Sequence, residues 1–237
     1  KSSGWKNGIT FVLFLLILAI VFFIGIGTGS AAKGLSGAIK PYETTVYKSG
    51  STSKVAVLKV NGVIDSEQAG WFEAAASDIA KDSTVQSVVL RVESGGGGVT
   101  ASDQMWKSIQ KIKDAGKPVV ASFGSVAASG GYYIATHADE IIVEPTTITG
   151  SIGVIAQIMT MENLMEMVGI KPVTLVATGS PEKDVANNLF RSWKDADKKK
   201  VMKMLDHSYK IFKQRVTDGR GNRIKDENLS VACSGSI

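Results

Sequence analysis

A chain of 237 residues that is 44% hydrophobic can bury one good-sized core, so a single globular domain with appended segments is the expectation. Its net charge of +5 is modest and both signs run along the whole chain, which excludes a strong nucleic-acid footprint. One cysteine, Cys233, excludes an internal disulfide framework, and two distant histidines, His137 and His207, form no metal motif, so no cofactor is expected.

The sequence starts at Lys1 and stops in mid-pattern at SGSI, so it reads as a fragment of a longer protein. Residues 1–8 are a short tail. The run ITFVLFLLILAIVFFIGI over residues 9–26 carries no charge. At 1.5 Å per residue it covers roughly 27 Å, close to the hydrocarbon thickness of a bilayer. Signal-peptide cores are typically about 7–15 residues, so residues 9–27 read as a retained transmembrane helix rather than a cleaved leader. Lysines flank both ends, and charge alone does not orient it. Residues 28–53, rich in Gly, Ser, Thr and Ala, read as a juxtamembrane linker.

From residue 54 the texture becomes that of a folded domain, 54–237. KVAVLKVNGVI (54–64) alternates like a strand, residues 67–81 carry helical spacing, and SVVLRV (87–92) reads as a buried strand. A helix over 101–115 with Met105, Ile109 and Ile112 on one face leads to strand PVVASF (118–123). A helix over 128–138, a strand over 140–143, a helix over 161–168 and a strand over 172–176 follow. Last comes a long helix, 195–216, with Val201, Met204, Leu205, Ile211 and Phe212 at helical spacing and its lysines mostly off that stripe. Strands alternating with helices argue for an α/β domain with a largely parallel sheet.

Three segments rich in Gly or hydroxyls follow strands, where α/β folds build their sites. ESGGGG (93–98) is read as a turn whose bare amides suit a developing oxyanion; it lacks the Gly-Lys-Ser/Thr ending of a phosphate loop. GSVAASGGYY (124–133) places Ser129 where a helix begins. By itself Ser129 reads more readily as an N-cap than as a nucleophile, and its surroundings are not the GxSxG of the hydrolase elbow. TTITGSIGV (146–154) is a hydroxyl-rich loop. Neither histidine is placed to activate Ser129, which leaves a lysine as the remaining common base; such a base has to be desolvated to lose its proton near neutral pH.

Together these segments resemble the signal peptide peptidase A family of membrane-bound serine proteases. The likeness spans roughly residues 54–237 and is most specific in ASGGYYIATHADEIIVEPTTITGSIGV, 128–154. The resemblance implies a crotonase/ClpP-like fold, Ser129 as nucleophile and Ser151 as a second serine that bonds the catalytic lysine. It implies Gly96 or Gly97 as the oxyanion donor, in a loop where Gly95 replaces the family's proline. Lys183 matches the family's base best, although Gly179 to Lys183 is one residue longer than the family's G-x-x-K; Lys171 and Lys194 match less well.

The resemblance further implies a homo-oligomer that degrades cleaved signal peptides and other hydrophobic peptides. The anchor sits in membrane lipid, the N-terminus is cytoplasmic and the catalytic domain extracytoplasmic. A crotonase-type acyl-thioester enzyme, or a membrane scaffold of this fold that has lost its base, are the alternatives. No nucleic acid is expected as a partner.

Overall fold

The computed structural model describes residues 52–184, 189–224 and 233–235. The tail, the expected anchor and nearly all of the expected linker lie outside the described residues. Among the described residues, no helix is long and apolar enough to cross a membrane.

Among the described residues, five strands and five α-helices follow in the order β1 (Lys54–Ile64), α1 (Ser66–Lys81), β2 (Val85–Gly97), α2 (Val99–Asp114), β3 (Val119–Ala128), α3 (Gly130–Ala135), β4 (Glu140–Ile142), β5 (Ile148–Gly150), α4 (Glu162–Met167) and α5 (Asp195–Arg220). The sheet runs β1-β2-β3-β4, with β5 also paired to β3, and each pair is parallel. The α/β class and the largely parallel sheet read from the sequence are therefore what the chain forms.

Local chemistry sets the boundaries. Asp65 caps α1, its carboxylate accepting the Gln68 amide hydrogen at 2.8 Å, while Asp197 accepts the Lys194 amide hydrogen at 2.9 Å at the start of α5. Alternate residues of β1 and β2, among them Leu58, Val60, Leu90 and Val92, are fully buried with Phe72 of α1 and Met105 of α2. Burying side chains of this size contributes about 1.5–3 kcal/mol each. A second, smaller cluster of Trp106, Tyr133, Ile152, Phe212 and Val216 docks α5 against α2 and α3.

Three expectations need correction. Gly95–Gly97 are not a turn but the last residues of β2, because Ile64 of β1 continues to pair with Gly97. The helix after Ser129 ends at Ala135, so His137 lies beyond it, edge-on to Trp106 with ring centroids 4.9 Å apart. The run 172–176 forms no strand: Val173 and Leu175 are 83% and 91% exposed, and β-branched side chains do not make a strand without a partner to pair with. Conversely β5 arises in the hydroxyl-rich loop, where Thr147 Oγ1 and Thr149 Oγ1 donate to the Gly124 and Ala127 carbonyls of β3 at 2.8 and 2.7 Å. The apolar stripe of α5 is only partly covered: Phe212 and Val216 are buried, whereas Met204 is 60% exposed.

One irregularity sets the register of everything downstream. Val92 pairs with Phe123 but Ser94 pairs with Ala127, so β3 carries two extra residues. The Glu93 carboxylate fills the bulge, accepting the amide hydrogens of Ser125 at 2.9 Å and Val126 at 3.2 Å. The bare Gly124 leaves room for that carboxylate, since a Cβ there would lie 1.5 Å from Glu93 Oε2 and displace it. Arg91 donates to the Phe123 carbonyl at 2.7 Å and steadies the same corner.

Two glycine substitutions test this packing in opposite directions. At Gly219 of α5 a Cβ would meet the Thr136 carbonyl oxygen at 2.3 Å, so Gly219→Ala is expected to destabilise by about 1–3 kcal/mol. Gly70 is exposed in mid-α1 with open space around it, and Gly70→Ala is expected to stabilise by up to about 1 kcal/mol. Thermal unfolding reads both, at about 2–4 °C per kcal/mol.

Candidate active site

The pairing pattern brings three strand ends into line. Ser94 pairs with Ala127, so Gly96 and Ser129 each stand two residues further on. Ala128 pairs with Gly150, so Ser129 and Ser151 each stand one residue further on. Parallel neighbours are about 4.8 Å apart. Gly96, Ser129 and Ser151 therefore lie side by side at the C-terminal edge of the sheet, where open α/β sheets place their ligands.

Ser129 sits in an unusual backbone conformation. Its φ is 51° and ψ −119°, a region that non-glycine residues rarely occupy, at the turn from β3 into α3. Such a conformation costs on the order of 1–3 kcal/mol. Although Ser129 is in the N-cap position of α3, its side chain makes no capping hydrogen bond. The sequence reading of a capping serine therefore fails: the hydroxyl is left for other work. The strained strand-to-helix turn of a nucleophile elbow is present without the GxSxG motif. Two bonds hold the backbone there, Ser129 N–H to the Gly150 carbonyl at 2.9 Å and Tyr133 N–H to the Ser129 carbonyl at 2.8 Å. Ser151 is strained in the same sense, with φ 49°.

Glycines pack against this turn because nothing larger fits. At Gly96, φ is 104° and a Cβ would lie 2.6 Å from the Gly130 nitrogen and 3.1 Å from Ser129 Oγ. The amide hydrogen of Gly96 is spent on Ser94 Oγ at 3.1 Å. Gly98 N–H donates to the Ile64 carbonyl at 2.8 Å, toward β1. Successive amides along a strand point opposite ways, so that of Gly97 points away from β1. Its nitrogen is 3.1 Å from where a Gly130 Cβ would be. Of the two glycines expected to serve an oxyanion, Gly96 has its amide bonded to Ser94 Oγ, whereas Gly97 lines the groove at Ser129 together with Gly130, a residue the sequence reading did not single out. The small residues directly after Ser129 were the available signal.

A groove of about 100 Å³ opens at Ser129. Gly97, Val99, Ser102, Gly130, Tyr133, Gly153, Val154, Ile155, Ser208 and Phe212 line it. Neither lysine nor histidine is among those residues. Lys183 is exposed on the 3-10 turn Pro181–Asp184, which Arg191 ties to the start of α5 through Asp184 at 2.9 Å and Asp197 at 2.6 Å. Lys171 lines a separate groove with Glu162 and Glu166, and Lys194 is exposed ahead of α5. His207 is exposed on α5. The structure thus places Ser129, Ser151, Gly96 and Gly97 along one edge of the sheet, and Lys183 is exposed and does not line the groove at Ser129. Among the described residues no cluster of His, Cys, Asp and Glu could hold a metal ion.

The strain at Ser129 has a measurable consequence. Ser129→Gly relieves it, since glycine adopts positive φ freely, whereas Ser129→Ala keeps it. Ser129→Gly is expected to be about 1 kcal/mol more stable than Ser129→Ala, a difference readable by calorimetry. Equal stabilities would contradict a strained turn.

The family model for peptidase family S49 matches residues 111–232, which include Ser129, Ser151 and Lys183. The chain is 33% identical over 175 residues to "Protease 4" of Haemophilus influenzae, covering 71% of this chain and 28% of that protein. It is 30% identical over 188 residues to "Serine protease SPPA, chloroplastic" of Arabidopsis thaliana, 74% of this chain and 27% of that protein. It is 36% identical over 143 residues to "Putative signal peptide peptidase SppA" of Enterococcus faecium, 56% of this chain and 42% of that protein. The chain therefore spans less than half the length of these relatives. On the family match and these relatives, the chain belongs to peptidase family S49, the signal peptide peptidase A family.

Proposed function

We propose that this chain carries the catalytic serine of a membrane-anchored endopeptidase of crotonase/ClpP-like fold, acting on the remnants of cleaved signal peptides and other hydrophobic peptides. The observation that supports it most is Ser129 itself: a strained serine at a strand-to-helix turn, its hydroxyl not spent on a cap, facing glycine amides across a groove.

In this reading Ser129 Oγ attacks the peptide carbonyl and its proton passes to a neutral lysine amine. The negative charge that develops on the carbonyl oxygen is met by the Gly97 and Gly130 amides, an arrangement worth about 10²–10³ in rate per donor. The C–N bond breaks as the lysine returns the proton to the leaving amine, and water then hydrolyses the acyl-enzyme. Lys183 is the proposed base, with Ser151 orienting its amine. Lys183 is exposed on its turn, and burial at a contact between chains of a homo-oligomer is the proposed source of the desolvation a lysine base needs. Val99, Val154, Ile155 and Phe212 give the groove apolar patches, which suit hydrophobic substrates. Residues 9–27 are the proposed anchor, with the N-terminus cytoplasmic and the catalytic domain outside.

The exposure of Lys183 favours one other reading, a scaffold of this fold without a base. Turnover of a synthetic leader peptide separates the two. Ser129→Ala is expected to lower kcat by at least about 10³-fold, and Lys183→Met likewise, while Lys171→Met and Lys194→Met retain activity. Specific activity is expected to rise with protein concentration to a plateau. Full turnover by Ser129→Ala would refute the mechanism, and full turnover by Lys183→Met would refute the choice of base.

A further inference from the structure

The wall of the Ser129 groove depends on a carboxylate that does not touch it. Tyr133 of α3 and Phe212 of α5 form part of that wall, their ring centroids 4.7 Å apart at 46°. Tyr133 is 2% exposed, and its hydroxyl donates to Asp103 Oδ1 of α2 at 2.8 Å. The same oxygen accepts from Arg215 Nε at 3.0 Å, one turn along α5 from Phe212, while Oδ2 pairs with Lys107 at 2.7 Å. The Arg215 guanidinium stacks on the Trp106 ring, 4.0 Å from its centroid, and Trp106 Nε1 donates to Thr136 Oγ1 at 3.0 Å. One carboxylate on the rigid helix α2 thus fixes both the tilt of Tyr133 and the seat of the α5 segment that carries Phe212.

The groove, about 100 Å³ and open to solvent on one side, offers less room than the roughly 150 Å³ cavity that holds a benzene ring. With the Tyr133–Phe212 wall in place, that volume favours a small aliphatic side chain over an aromatic one.

Resting on the reading of Ser129 as nucleophile, we propose that Asp103 is a positioning residue that sets substrate choice. By locking the Tyr133–Phe212 wall, it confines the residue bound beside Ser129 to a small aliphatic side chain. Asp103 contacts neither substrate nor reacting atoms; it acts through Tyr133 and Arg215. Its three donors hold its carboxyl below the usual carboxylate range against the opposing effect of burial, which keeps it ionised and the lock closed at neutral pH.

The test is the ratio of kcat/KM for full-chain protein on peptides that differ only in Ala, Leu or Phe before the cut. The wild type is expected to cleave after Ala or Leu and to discriminate against Phe. In Asp103→Ala the Phe-to-Leu ratio is expected to rise about tenfold, mainly through KM for the Phe peptide. Tyr133→Phe, which removes one hydroxyl and keeps the ring, is expected to move the ratio the same way by about threefold, and Asp103→Glu to restore part of the discrimination. A uniform loss across the series with the ratio unchanged would mean a merely structural role and overturn the proposal, as would an unchanged ratio in an active variant. Should Asp103→Ala not fold, Tyr133→Phe decides by the same ratio. Absence of turnover by the wild type would fall on the nucleophile reading instead.

Discussion

The close approach of β2 to the β3–α3 turn is the constraint on which the site depends. Parallel strands keep a fixed spacing, so whatever stands at Gly96 stands against Ser129. Only a residue without a Cβ fits there, because a Cβ would lie 2.6 Å from the Gly130 nitrogen and 2.9 Å from Ser129 Cβ. The bulge in β3, filled by Glu93, is what sets this register. Were its two extra residues paired regularly instead of bulged, Ala127 would face Gly96 and Ser129 would face Gly98. A carboxylate that takes no part in chemistry thus decides which residue faces which.

The same logic places the strain. A positive φ at both Ser129 and Ser151 works against folding, and the surroundings hold it in place: pairing to β5, the first turn of α3 and the buried cluster beneath. Stability stored in ordinary burial at Leu58, Phe72 and Leu90 is what lets two serines sit in rare conformations at the sheet edge. The wall residues Tyr133 and Phe212 belong to that second cluster, so packing and groove shape are not separable here.

Much of this was legible in the sequence. Alternation in KVAVLKVNGVI and the helical spacing of Met105, Ile109 and Ile112 give the parallel α/β arrangement, because burial enforces those periods. The glycines at 95–98 read as a turn because glycine usually breaks strands; here Gly95–Gly97 extend one, since the partner β1 runs on to Ile64, and Gly98 opens the next helix. PVTLV at 172–176 misled in the opposite way, with strand propensity and no neighbour. Ser129 could not be told from a helix cap by residue type, since the two roles differ only in φ and in where the hydroxyl bonds. Lys183 was found by motif, not by physics. Its place on an exposed turn is a tertiary fact that no local pattern encodes. The Asp103–Arg215 link spans 112 positions and left no local trace at all.

The central claim is that Ser129 is the reactive group. The most direct measurement is peptide mapping by mass spectrometry after the wild-type chain is treated with a serine-reactive phosphonate. The account predicts a single covalent adduct, on Ser129. An adduct on Ser151 with Ser129 unmodified, or none on either serine, would contradict it.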